Sequence, residues 1–138
     1  MLPWQTISDA INTVIELLTC AGTPIDGFSG SIEEAAVAVA GRQKPFCIVA
    51  EWRIIEVEVD EGFRQSLAKD GLSPQIVYAS NVLLHSQRKR DRGEWVRTTL
   101  MKSFTDGLLF ESVNTLYVLM GPGTRVRGTG QAVISIGR

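Results

Sequence analysis

Arg88, Lys89, Arg90, Arg92 and Arg97 crowd around Trp95 in the segment 85–97, which holds five of the chain's fourteen basic residues. Cations at that density can neutralise phosphates while an indole stacks on a base, the pattern of single-strand and RNA binders. The same charges can meet an acidic protein surface. The plainer reading is a solvated hairpin tip, with Asp91 and Glu94 absorbing part of the charge and Trp95 in the core. These six residues are the candidate partner-binding set. The segment also marks a change of sign: residues 1–84 carry five Lys and Arg against eleven Asp and Glu, a net −6, and residues 85–138 carry nine against four, a net +5. An acidic region and a basic one on a small protein steer partners by sign.

Other chemistry-bearing residues are weaker candidates. His85 is the only histidine and stands beside Ser86, but neighbours in a strand point to opposite faces, which separates a would-be nucleophile from its base. Glu51, Glu56, Glu58, Asp60 and Glu61 form an acidic run in which Glu56 and Glu58 share a strand face; a divalent cation or acid/base pair can be drawn there, and a solvated face explains it more simply. The glycine-rich stretch 121–130 matches neither a phosphate loop nor a dinucleotide fingerprint, because no helix is predicted after it. Gly128 and Gly130 are instead expected to accommodate a close neighbour or a bend. Cys20 and Cys47 read as small core residues, and two cysteines with one histidine are too few for a closed zinc site of those ligands. No catalytic residue, metal or cofactor is assigned.

At 138 residues, 44% hydrophobic and 21% charged, the chain has the composition of one globular domain, expected over 1–138. A total charge of −1 gives no global pull to DNA or membrane. No basic n-region with an apolar run opens the sequence, and no stretch reaches a membrane span, so a soluble cytoplasmic protein is expected.

Spacing supplies the scaffold. Ile7, Ile11, Val14, Ile15 and Leu18 fall on one stripe of a helix over 6–20, with Thr6 and Asp9 as a capping box and Pro3 as the earliest start. Ser31 and Glu34 form a second capping box over a short alanine-rich helix, 32–40, after a loop at 23–30. From Phe46 the period becomes two, with Trp52 in the core and a phase slip expected after Ile54-Ile55. Asp60 caps a third helix that Gly71 stops. Strands are predicted over 75–86, 95–103, 115–120 and 126–136, and Asp106-Gly107 sets a hairpin between 102–104 and 108–110. The fold class is α+β: two or three short helices from the N-terminal half on a curved, mainly antiparallel sheet of five or six strands.

The segments Val77-Tyr78-Ala79-Ser80-Asn81-Val82, Gly93-Glu94-Trp95-Val96-Arg97-Thr98-Thr99 and Phe110 to Gly123, with its Asn114-Thr115-Leu116-Tyr117-Val118-Leu119, resemble a domain-of-unknown-function family of small bacterial and prophage-associated proteins. The resemblance runs over about residues 45–123 and carries no known activity. Its setting implies an inhibitor, immunity or anti-defence role exercised by binding. The functional expectation is therefore a small non-enzymatic protein that binds a macromolecular partner through a charged surface. An acidic protein surface stands ahead of nucleic acid, an enzyme of unknown class comes last, and no membrane partner is expected. Leu116 to Met120 and Ala132 to Ile136, read as ungated strand edges, or else the face of the first helix, predict a homodimer.

Overall fold

The computed structural model describes the backbone of residues 3–137 and the side chains of residues 8–137. Its spine is β2 (Phe46–Glu58), an apolar strand buried on both faces. One edge of β2 pairs antiparallel with β3 (Gln75–His85) along nearly its whole length. The other edge carries two strands end to end: β7 (Leu116–Leu119) lies parallel to Phe46–Val49, and β8 (Gly123–Thr129) lies parallel to Arg53–Glu58. The sheet grows outward from there. β6 (Leu109–Glu111) and then β5 (Ser103–Thr105) continue from β7, β1 (Thr23–Ile25) pairs with β8, and β4 (Val96–Arg97) pairs with β3.

Four helices accompany these strands. α1 (Pro3–Thr19) and α4 (Gly130–Ile136) pack against each other and, through Leu17, Ala132 and Val133, against Ile55 and Val57 of the spine. α2 (Ile32–Val39) places Ala35 and Val39 over Ile48 of the same face. α3 (Glu61–Lys69) leaves the end of β2 with Asp60 as its N-cap. The opposite face of the spine, Cys47, Val49, Trp52 and Ile54, forms the inner core with Val77, Val82, Val96, Phe110 and Leu119. Met101 and Phe104 close over it.

The α+β class is as expected from the sequence, but the sheet has eight strands and its spine is mixed rather than purely antiparallel. Residues 126–136 are not one strand. Thr129, whose hydroxyl accepts from the Ala132 N–H at 3.1 Å, caps α4 and ends β8, so the fourth helix comes from the C-terminal half. The short β1 replaces the early loop, and the predicted strand 95–103 shrinks to Val96–Arg97, with Leu100 and Met101 turning inward. In α1 the predicted stripe is rotated: Leu17 is the buried contact, while Ile11 and Ile15 are 54% and 53% exposed. Thr6 and Ile7 lie outside the described side chains, as does Trp4.

The Ser31–Glu34 capping box forms in both directions, at 3.1 Å each. The Asp106-Gly107 turn joins β5 to β6 with φ of +56° and +72°, the mirror-image turn that suits a twisted hairpin. The phase slip in β2 falls at Glu51, three residues earlier than the spacing of Ile54-Ile55 suggested. Its φ is +53°, and the inner face passes from Val49 to Trp52 across it. Neither segment read as a sticky edge is one: Leu116–Leu119 lies between β2 and β6, and Ala132–Ile136 is helix. The strand-edge basis for a homodimer is lost.

Lys44 and Glu111 fasten the approach to β2 onto β6 through an ion pair, both side chains being largely covered. The Lys44 hydrogen bond holds the Glu111 carboxyl below its usual 4.5, with Ser103 assisting against the cost of burial. A carboxylate depressed in the folded state adds stability above its unfolded pKa and loses it as pH falls through the folded value. Thermal melts should therefore show stability declining once pH drops below about 4.5, and Lys44→Met should flatten that decline. Parallel pH curves for the two proteins would deny the pair this role.

Candidate functional site

The basic segment is the connection from β3 to β4, and its shape is set by local hydrogen bonds. The Arg88 N–H donates to the His85 carbonyl at 3.0 Å, the Gln87 N–H donates to His85 Nδ1 at 3.1 Å, and Val82 exchanges backbone bonds with Gly93 and Glu94 at 2.8 Å. The Ser86 hydroxyl is spent accepting from the Phe46 N–H at 2.8 Å, so it makes no pair with His85. This geometry brings Gly93 and Glu94 back onto β3 and leaves residues 86–92 as the tip.

Not all six candidate residues act together. Arg88, Lys89 and Arg92 are exposed at the tip. Arg90 and Arg97 are half-buried and line a single groove of about 460 Å³ with Thr98, Thr99, Ser112, Asn114, Thr115 and Tyr117. Trp95 is not in the core: it is 38% exposed at the surface and stacks on Tyr78 at 6.0 Å between centroids, which covers part of one face of its indole. Arg97 Nε donates to the Gly137 carbonyl. Asp91 and Glu94 form no ion pair with the segment's cations: among the described residues, the ion pairs are Lys44–Glu111, Arg64–Glu61 and Arg127–Glu56.

Register explains the floor beside the groove. Phe104, Phe110, Tyr117, Cys47 and His85 are successive partners across five strands, so they form one row on the inner face. Arg90 projects its field onto the polar end of that row. Burial pushes the Cys47 thiol up to about 12, against the pull of Arg90. A thiol so protonated is a core residue and no nucleophile. Burial also raises Tyr117, with Cys47 adding and the Thr115 hydrogen bond and Arg90 opposing. His85 is lowered by burial, then by Lys89 and Arg90, so its imidazole is neutral at pH 7.

The groove wall is hydroxyl-rich and rigid. Thr98 is buried, its Oγ1 accepting from the Val77 N–H at 2.9 Å and donating to the Thr99 carbonyl at 2.8 Å. Ser112 is buried too, bonding the Thr115 N–H and carbonyl at 3.2 Å each. The Thr98 and Ser112 hydroxyl hydrogens are thus given to carbonyls, and the groove presents two guanidiniums, the Asn114 amide and the Thr99 side chain, with no lining carboxylate among the described residues. Asn114, Thr115 and Tyr117 were legible in the sequence only as turn and strand residues. Their place in the groove follows from β7 lying beside β2, a pairing that no local pattern encodes.

The other candidates lie apart from this groove. Glu56 meets Arg127 at 3.8 Å while Glu58 faces solvent, and among the described residues no cluster of His, Cys, Asp and Glu has metal-site geometry. Gly121-Pro122-Gly123 is the switch from β7 to β8, and Gly123 lies flat against the Trp52 indole. Among the described residues no helix is long and apolar enough to cross a membrane.

The strand pairing and the groove define a mixed-sheet α+β domain with a cleft lined by two arginines and several hydroxyl residues. The chain belongs to the family defined by the domain of unknown function DUF6957, whose model matches residues 26–135, wider on both sides than the resemblance over 45–123. No curated protein and no solved structure matches the chain.

Proposed function

We propose that this is a non-enzymatic binding protein, of inhibitor or immunity type, that takes an acidic group of a protein partner into the groove between Arg90 and Arg97. The observation that carries the reading is the convergence of two half-buried guanidiniums, without a carboxylate partner among the described residues, in one polar cleft. Arginine presents a planar fork that matches a carboxylate bidentately, and a partly desolvated fork binds it more strongly than a surface lysine. The exposed Arg88, Lys89 and Arg92 steer the approach, an effect on association rate that salt screens.

Nucleic acid is the poorer fit. Part of one face of Trp95 is covered by Tyr78, which reduces its use as a stacking platform, and the net −6 of residues 1–84 repels a polyanion extending beyond the groove. Fluorescence anisotropy with a labelled Asp/Glu-rich peptide and a labelled mixed-sequence single-stranded oligonucleotide separates the two. The peptide is expected to bind, more weakly as salt rises. Binding of the oligonucleotide in preference, or of neither probe at low salt, would overturn the proposal.

A further inference from the structure

A second polar crevice, of about 400 Å³, opens on another part of the spine, where the neighbour of β2 changes from β7 to β8. Glu51, Arg53, Tyr78, Ser80, Gly123 and Thr124 line it. Three features there go unused by the fold. Glu51 holds a left-handed φ of +53° in the middle of the longest strand, a conformation that costs a non-glycine residue free energy and persists only where the surrounding structure enforces it. Its carboxylate receives only the Ser80 hydroxyl, at 3.1 Å, and no cation among the described residues. The Thr124 hydroxyl is buried without a hydrogen-bond partner.

Arg53 supplies the opposite charge. Its Nη1 donates to the Leu17 carbonyl at the end of α1, at 3.3 Å, and lies 3.7 Å from the Cys20 sulfur. The guanidinium carries five N–H donors, and its other nitrogens have no partner among the described residues. Glu51 and Arg53 thus face one crevice without pairing with each other.

We propose that this crevice binds a small zwitterion of the α-amino acid class. The ammonium group is held by Glu51 and the carboxylate by Arg53. A ligand carrying both charges satisfies both side chains at once, which a simple cation or anion does not.

The Trp52 indole N–H donates to the Met120 and Gly121 carbonyls at 3.2 Å, at the strand switch beside the crevice, and its resonance is a local reporter. Nitrogen-15 labelled protein would be titrated with L-alanine, n-propylammonium and propionate. A saturable shift with L-alanine is expected, and binding of each singly charged probe should be weaker by about tenfold or more, the value of one charge-assisted hydrogen bond. Glu51→Gln should weaken L-alanine binding by about tenfold or more. Glu51→Gly, which suits a positive φ, should weaken it as much while keeping or raising the melting temperature, so the weakening cannot be charged to unfolding. No saturable shift up to the solubility of L-alanine, equal affinity for a singly charged probe, or an L-alanine affinity unchanged by Glu51→Gln would overturn the proposal.

Discussion

Gly123→Ala should cost the fold about 3 kcal/mol and lower the melting temperature by roughly 10 °C. A Cβ at this position would lie 2.4 Å from two atoms of the Trp52 indole. The ring cannot retreat: Trp52 is 2% exposed, in the middle of the inner core, and its N–H is committed to two carbonyls across the strand switch. Either β8 moves away from β2 and the parallel pairing loosens, or the indole turns and leaves a buried donor unpaired. Gly121→Ala is the control. It has open space around it and a φ of +68°, so only backbone strain is paid, about 1 kcal/mol. In a Trp52→Leu background the cost of Gly123→Ala should shrink, since the two residues are in contact and their effects should not add. Thermal melts of wild type and the four variants measure this. A Gly123→Ala protein melting within a degree or two of wild type would show that the stacked glycine does not set the switch.

The second large effect concerns the groove. Arg90→Gln should weaken binding of the acidic peptide roughly thirtyfold, about 2 kcal/mol for a charge-assisted hydrogen bond in a partly desolvated cleft. Exposed Arg88 and Lys89, changed together to Glu, should cost less at physiological salt and act mainly by slowing association, because water and ions screen them. Anisotropy titrations at two salt concentrations separate these contributions. Equal losses for the two variants would mean that charge at the tip, and not the groove, does the recognising. Both proteins should keep the wild-type melting temperature within a few degrees, since Arg88 and Lys89 are exposed and none of the three residues enters an ion pair among the described residues.

How much of this was readable beforehand follows from the range of the interactions concerned. The Ser31–Glu34 box, the Asp60 cap and the Asp106-Gly107 turn are contacts between near neighbours, and local spacing finds them. The basic cluster was equally visible. Its division into Arg90 and Arg97 at the groove and Arg88, Lys89 and Arg92 at the tip was not, because it depends on where β7 and its Tyr117 come to lie. Parallel pairing of β2 with β7 and β8 joins residues some 70 apart in the chain, and nothing in the apolar pattern of either strand distinguishes it from an antiparallel meander. The helical end of the chain was misread because Val133, Ile134 and Ile136 are β-branched, and tertiary burial of Ala132 and Val133 against α1, with the Thr129 cap, outweighs that propensity. Glu51 is legible in the sequence as part of the acidic run, but its backbone conformation is not. Its polar side chain fits the exposed phase of an alternating strand, so its spacing carries no sign of the positive φ.

The most direct test of the proposed recognition is a map of backbone amide shifts as unlabelled acidic peptide is added to nitrogen-15 labelled protein. Binding in the cleft should move the amides of residues 90, 97–99 and 112–117, together with the Arg97 Nε–H, and leave α2 and α3 undisturbed. Shifts confined to residues 86–92 with the 112–117 segment unmoved, or centred on Trp95 when the oligonucleotide replaces the peptide, would contradict a carboxylate held between Arg90 and Arg97.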